Sequence, residues 1–205
     1  MINDIYVFDD IIPKENQLLI YDYVRRSDIK WVELDNIRGG YGGANLQSLP
    51  AKVHPHLYVS DSEIDSLIEG IQLIVSQKLN LSFVENYRYK INWTKPLNFE
   101  YEPKHLMHID RMEQHIAMVY YINDTTGGTY IYKNKAGDTA ELNKKNYVNN
   151  IDYNTLELVK KVYPKMGRVV IFNGILNHHA EYPINNDRFI INFNFVANSK
   201  NKALL

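Results

Sequence analysis

The tripeptide His108-Ile109-Asp110 lies inside the stretch HLMHIDRMEQHIAMVYYIN, His105 to Asn123. In an extended chain, residues two apart point to the same side. His108 and Asp110 therefore offer an imidazole nitrogen and a carboxylate oxygen to one point, and Ile109 turns away. On a regular strand His105 points away from that pair, and His115 opens the apolar run that follows. A lone His-x-Asp is a polar bend as readily as part of a metal site, so the reading depends on a third ligand. There is no cysteine. Thiolate sites and disulfides are excluded, and a bound metal must use nitrogen and oxygen donors.

Candidates for the third ligand stand in PKMGRVVIFNGILNHHAEYPINNDRFIINFNF, Pro164 to Phe195. A turn at Pro164–Gly167 launches an apolar strand that ends near Asn173-Gly174. His178 and His179 follow, then Pro183, and Arg188 heads a further apolar strand. Two nitrogens and one carboxylate on one side of an iron leave three positions open. Two of these hold a bidentate α-keto acid and the last admits dioxygen. An arginine about ten residues past the distal histidine can grip the far carboxylate of that acid in a bidentate fork. Neighbours on a strand face opposite ways, so His178 and His179 should not both ligate. One that does not ligate is structural or hydrogen-bonds nearby.

These residues need strands to place them. From Phe83 onward the chain is a series of short β-rich runs (YRYKINW, IAMVYYIN, GGTYIYK, GRVVIFNG, RFIINFNFV) broken by Gly, Pro, Asn and Asp. That texture predicts a sandwich or barrel of antiparallel strands. Before it, residues 1–12 read as a short strand and turn. Pro13 suits the first turn of a helix running to about Ser27, with Leu18, Leu19, Tyr21 and Val24 available to pack. SDSEIDSLIEGIQLIVSQKLN predicts a second helix, with Ser60 and Glu63 as a capping box and an apolar face of Ile64, Leu67, Ile71, Ile74 and Val75. The polar Tyr/Asn-rich segment Ala136–Lys161 runs into a short predicted helix at Leu156–Val162. Arg38–Pro50, with four glycines, is a loop that serves as a plain connection or as a lid over substrate. His54-Pro55-His56 reads as a turn.

A chain of 205 residues, 45% of them hydrophobic, suffices for one domain with a core. The net charge is −1, and the basic clusters are Lys144-Lys145 and Lys160-Lys161 with Lys165. A solvated surface explains them, and nucleic acid is not an expected partner. The acidic start MINDIYVFDD lacks the apolar region of a signal peptide. Apolar runs such as Val169–Phe172 are too short to span a bilayer. The expectation is a soluble, cytoplasmic protein with no membrane partner.

Six motifs in this order carry a resemblance: His108-x-Asp110, Tyr120-Tyr121-Ile122-Asn123, Gly127-Gly128-Thr129, Pro164-x-x-Gly167-Arg168, a distal histidine with proline following, and Arg188. Over roughly residues 83–196 the chain resembles the Fe(II)- and 2-oxoglutarate-dependent dioxygenases, in particular the prolyl 4-hydroxylase-like group of bacteria and phages. The resemblance implies an α+β, mainly β fold: a double-stranded β-helix, or jelly roll, of about residues 83–196. Supporting helices would occupy residues 1–82, and the whole of 1–205 would form a single domain.

The resemblance further implies His108, Asp110 and a distal histidine as catalytic iron ligands. His179, with Pro183 four residues on and Arg188 nine on, is favoured; His178, ten before Arg188, is the alternate. Arg188 would bind the C5 carboxylate of 2-oxoglutarate. Tyr121 either hydrogen-bonds that carboxylate or is a core tyrosine. Asn192 and Asn194 share the strand face of Arg188 and would contact keto acid, water or substrate, with Asn92 a weaker candidate. Trp93, Tyr101 and Arg88 are candidate substrate contacts. The implied cofactors are Fe(II), 2-oxoglutarate as cosubstrate, dioxygen and ascorbate. The implied partner is a peptide, protein or small-molecule substrate, peptidyl proline foremost, with specificity set in Arg38–Asn45 and Asn98–His105. Two readings compete. A cupin-type metalloenzyme needs more clustered histidines and does not need Arg188. A metal-free jelly roll acting as a binding or structural module leaves the ligands and Arg188 as coincidence.

Overall fold

The computed structural model describes residues 4–34, 51–53, 62–96, 107–111, 113–135 and 156–199. In chain order the elements are β1 (Tyr6–Phe8), α1 (Lys14–Val24), β2 (Val32–Leu34), β3 (Ala51–Val53), α2 (Ser62–Lys78), β4 (Leu81–Thr94), β5 (Ile116–Tyr121), β6 (Thr129–Lys135), β7 (Leu158–Val162), β8 (Val169–Asn173), β9 (Leu176–Ala180) and β10 (Arg188–Ser199). Seven strands form one antiparallel sheet in the order β1-β8-β5-β10-β4-β3-β2, and three form a second in the order β7-β6-β9. The sheets are those of a double-stranded β-helix with two supporting helices, as the family resemblance implies.

Strand alternation divides the interior into two layers. On β10, Phe189, Ile191, Phe193 and Phe195 pack outward against α1 and α2, where Ile20, Val24, Ile64, Ile68, Ile71 and Val75 meet them. Ile190, Asn192 and Asn194 look the other way, into the roll. Ile190 joins Ala117, Val119 and Tyr121 of β5, Val170 and Phe172 of β8, and Ile131 and Val162 of the smaller sheet in a separate apolar cluster there. Each fully buried aliphatic side chain contributes about 1.5–3 kcal/mol, so both layers help fix the register of β10, which with β5 and β8 contributes to both.

Three local expectations are corrected. Helix α1 buries Gln17, Ile20, Tyr23 and Val24, while Leu18 and Leu19 are exposed: its packed stripe is rotated from the leucine pair. The packed stripe of α2 runs through Ile64, Ile68, Ile71 and Val75, with Leu67 and Ile74 at its margin. Leu158–Val162 is a strand, not a helix, because it pairs with Thr129–Tyr132 of β6. The β-branched Val159 and Val162 suit that pairing.

The loop Arg38–Pro50, His54-Pro55-His56, the cap at Ser60, the segment Asn98–His105 with Tyr101, and residues 136–155 lie outside the described residues. Among the described residues, no helix is long and apolar enough to cross a membrane.

Candidate active site

One antiparallel bridge creates the site. His108 and His178 exchange both backbone hydrogen bonds: His108 N–H donates to His178 O, and His178 N–H to His108 O, each at 3.0 Å. Residues paired in this way project side chains to the same face, and the two imidazole rings sit 4.6 Å apart. The chain then bends at Asp110. Its carboxylate returns to the pair, with Oδ1 3.6 Å from His108 Nε2 and Oδ2 4.0 Å from His178 Nε2. Ligand atoms of His108, Asp110 and His178 lie within 4.8 Å of one another, close enough to hold one metal ion.

The preference for His179 is corrected by this register. His179 lies across from Tyr130 on β6, while His178 lies across from Ile131, so the two histidines face opposite ways. His179 stacks on Tyr130 at 4.7 Å, and its Nε2 hydrogen-bonds the Tyr132 hydroxyl at 3.0 Å. It belongs to the outer packing of the small sheet.

His178 is set up chemically as well as sterically. Its Nδ1 lies 3.0 Å from the Leu176 carbonyl. A carbonyl only accepts, so Nδ1 carries the proton and Nε2 keeps its lone pair toward Asp110. Burial, with the neighbouring His108 ring, lowers the His178 pKa to about 4. The imidazole is therefore neutral near pH 7, the form that binds metals. Burial works against the Asp110 carboxylate, but hydrogen bonds from His108 and the Asn192 amide, with the electrostatic attraction of the two adjacent imidazoles as it titrates, outweigh it and hold its pKa well below the ordinary value. His108 keeps 34% of its side chain exposed whereas Asp110 and His178 keep 6% and 7%, so access is from the His108 side. Phe172 meets the His178 ring edge-on at 5.0 Å and seals the inner side.

Arg188 is buried inside the roll, 2% exposed. Its Nη2 donates to Thr129 Oγ1 at 3.3 Å, and the Tyr121 hydroxyl donates to the same oxygen at 2.7 Å. The guanidinium lies 5.7 Å from the Tyr121 ring, and its Nε has no hydrogen-bond partner. Among the described residues, no carboxylate forms an ion pair with it. Burial lowers its pKa, yet arginine stays protonated in proteins. The result is a buried cation with hydroxyls beside it and no anion, a state that costs free energy unless an anionic ligand completes it.

The strand head that carries Arg188 is clamped. Asn123 Nδ2 donates to Asp187 O at 2.8 Å, and Phe189 N–H donates to Asn123 Oδ1 at 2.9 Å. At the adjoining corner, Gly127 has φ +90°, and a Cβ there would lie 2.6 Å from Glu181 O; only glycine allows that approach.

Further along β10, Asn192 Nδ2 donates to Asp110 Oδ2 at 3.0 Å. Asn194 is fully buried, and neither its amide nitrogen nor its oxygen has a partner. Asn92, across from Ile190 on β4, likewise turns a buried Oδ1 inward. Trp93 instead faces the helices and stacks on Phe189, away from the roll interior. His115 is buried just before β5, and its ring fills the space where Gly174 lacks a side chain. The Arg88 side chain lies outside the described residues.

The sequence reading missed two roles. Thr129 was visible only as the end of Gly127-Gly128-Thr129, and nothing local announces its contact with Arg188. The bond from Asn192 to Asp110 spans 82 positions, a separation no sequence pattern reveals.

The comparisons agree with this geometry. Residues 97–196, roughly half of the chain, match the 2OG-Fe(II) oxygenase superfamily model. No curated protein sequence matches. Among solved structures, a Pseudomonas putida prolyl-4-hydroxylase is 13% identical, with a TM-score of 0.55 over 93% of this chain and 91% of that one. A Trichoplax adhaerens prolyl hydroxylase, in complex with a hypoxia-inducible-factor oxygen degradation domain peptide fragment, is 14% identical, with a TM-score of 0.58 over 94% and 84%. HygX from Streptomyces hygroscopicus, with nickel and 2-oxoglutarate bound, is 12% identical, with a TM-score of 0.60 over 93% and 82%. At such identities the structural likeness speaks for the fold, and the family model speaks for the chemistry. With fold, site and family match in accord, the chain belongs to the 2OG-Fe(II) oxygenase superfamily, as a 2-oxoglutarate-dependent dioxygenase.

Proposed function

We propose that His108, Asp110 and His178 hold Fe(II), that Arg188 anchors 2-oxoglutarate by its C5 carboxylate, and that the enzyme hydroxylates a C–H bond of a peptide or amino-acid side chain, peptidyl proline foremost. The observation that carries this reading is the buried guanidinium of Arg188, which pairs with no carboxylate among the described residues. It lies on the same strand and face as Asn192, which bonds the one carboxylate of the triad. A buried cation on the strand face that also supports the His-Asp-His triad fits a dicarboxylate that chelates a metal at its other end. A cupin-type site or a metal-free module has no use for that cation.

The residues fit these groups in donor type as well. Two imidazoles and one carboxylate suit Fe(II) and leave three positions open. When bound, Fe(II) with 2-oxoglutarate activates dioxygen, one oxygen atom going to the substrate and the other into succinate, with release of CO2. The chain's own part is placement and shielding. Arg188 and Thr129 fix the far end of the cosubstrate, and Tyr121 supports Thr129. Ala117, Val119, Phe172 and Ile190 exclude water from the interior. Asn194 offers an unpaired carboxamide to bound water or substrate, and Asn92 adds an acceptor. Ascorbate would serve as an accessory to the loaded enzyme.

Two named relatives motivate the substrate class: a prolyl-4-hydroxylase and a prolyl hydroxylase holding a peptide fragment. HygX, also solved with hygromycin B, keeps small molecules in the screen. The test is conversion of 2-oxoglutarate to succinate under air with Fe(II) and ascorbate, alone and with proline-containing peptides, for wild type beside Asp110→Ala. Succinate from wild type and none from the variant is the expected result. Absence of turnover, together with failure to bind Fe(II) or 2-oxoglutarate in titrations, would overturn the reading.

A further inference from the structure

We infer that Asn192 acts on the metal ligand Asp110 and not on the cosubstrate: it is the positioning residue that orients the carboxylate before any metal or 2-oxoglutarate arrives. The inference rests on the metal site proposed above and assigns it a supporting group.

Asp110 is held by its side-chain contacts and not by strand pairing. His108 and His178 are locked by their mutual backbone pairing, and His178 is further fixed through Leu176. Asp110 sits at a bend beyond the bridge, outside any strand. A carboxylate on such a segment has two side-chain torsions that its contacts must set, and each wrong rotamer removes a ligand. The Asn192 amide settles the matter by donating to Oδ2 at 3.0 Å, which leaves Oδ1 on the His108 side.

Asn192 is itself held rigidly. It lies within β10, between Lys90 of β4 and Val119 of β5, so its backbone is fixed from both sides. The long central strand thus carries two tools on one face. Arg188 serves the cosubstrate, and four residues on, about 13 Å along a strand, Asn192 serves the metal ligand. Supporting hydrogen bonds of this kind are generally worth about tenfold to a hundredfold in metal affinity.

The experiment is a titration of metal-stripped full-length protein with Co(II), without 2-oxoglutarate, followed by titration of the Co(II)-loaded protein with 2-oxoglutarate. Wild type is compared with Asn192→Ala, Asn192→Leu and Asn192→Gln. Asn192→Leu keeps the branched heavy-atom skeleton and removes the donor, while Asn192→Gln keeps the amide. The expected result is a loss of Co(II) affinity of about tenfold to a hundredfold in the Ala and Leu variants, with substantial recovery in Gln. Thermal midpoints of the metal-free proteins should stay near wild type; if Leu does not fold, the smaller Ala change carries the comparison. Co(II) affinity within twofold of wild type in Ala would overturn the inference, and a loss confined to 2-oxoglutarate would return Asn192 to the cosubstrate. Failure of the wild type itself to take up Co(II) would remove the metal site, a separate and larger failure.

Discussion

Arg188 carries the sharpest consequence at the level of single residues. A buried cation with no anion is a burden on the ligand-free protein and an asset once a dicarboxylate binds. Arg188→Met is therefore expected to leave the thermal midpoint of the ligand-free protein unchanged or raised. The same substitution should cost 2-oxoglutarate binding at least about 2 kcal/mol, roughly thirtyfold, as for a buried charge pair that has lost one member. Calorimetric titration and a thermal melt on the same two proteins check both halves. A variant that binds 2-oxoglutarate like wild type would remove Arg188 from the site. The types of the site residues were legible in the sequence: a His-x-Asp, a later histidine pair, and an arginine heading an apolar strand. The choice between His178 and His179 was not. Spacings to Pro183 and Arg188 differ by one residue between the two, whereas a one-residue shift on a strand reverses the face. Only the bridge to His108 decides it.

At the level of elements, the turn before β8 is tied to the turn after β1. Arg168 donates to Asp9 through Nε at 2.6 Å and through Nη2 at 3.1 Å, and Lys165 adds a third contact at 3.1 Å. Hydrogen bonding from Arg168 lowers the Asp9 pKa from 3.8 to about 2. A folded-state pKa below the unfolded value means that the ion pair stabilises above about pH 4, and that its contribution fades as the pH falls toward 2. The cluster is largely solvated, so its worth is discounted to at most about 1 kcal/mol. Asp9→Asn should thus be slightly less stable than wild type in urea unfolding at neutral pH, and the gap should close between pH 4 and pH 2. A constant gap across that range would assign the effect to packing and not to charge. The strand-rich half and both helices could be read from periodicity. The facing of α1 could not, because Leu18 and Leu19 are exposed while Gln17 is buried, its Nε2 donating to the Ile12 carbonyl at 2.9 Å. Leu158–Val162 misled as a helix because its partner strand lies about thirty residues earlier, and pairing outweighs local propensity.

Over the whole molecule, the sequence order of parts and their spatial order differ, and the site exists through that difference. His108 and Asp110 precede β5, His178 lies on β9, and Arg188 and Asn192 lie on β10. The roll brings them together by seating β10 between β4 and β5 and by pairing β9 with the segment at His108. Helices α1 and α2 contribute by packing the outer face of β10, so that its inner face is held in register. The central claim is that His108, Asp110 and His178, not His179, form the metal site beside a cosubstrate pocket. Its most direct test is anaerobic titration with Fe(II) and 2-oxoglutarate, following the visible absorption that Fe(II) gives with a chelating α-keto acid, for wild type, His178→Ala and His179→Ala. The account expects the band in wild type and in His179→Ala, and its loss in His178→Ala. A band that survives in His178→Ala and disappears in His179→Ala would contradict it.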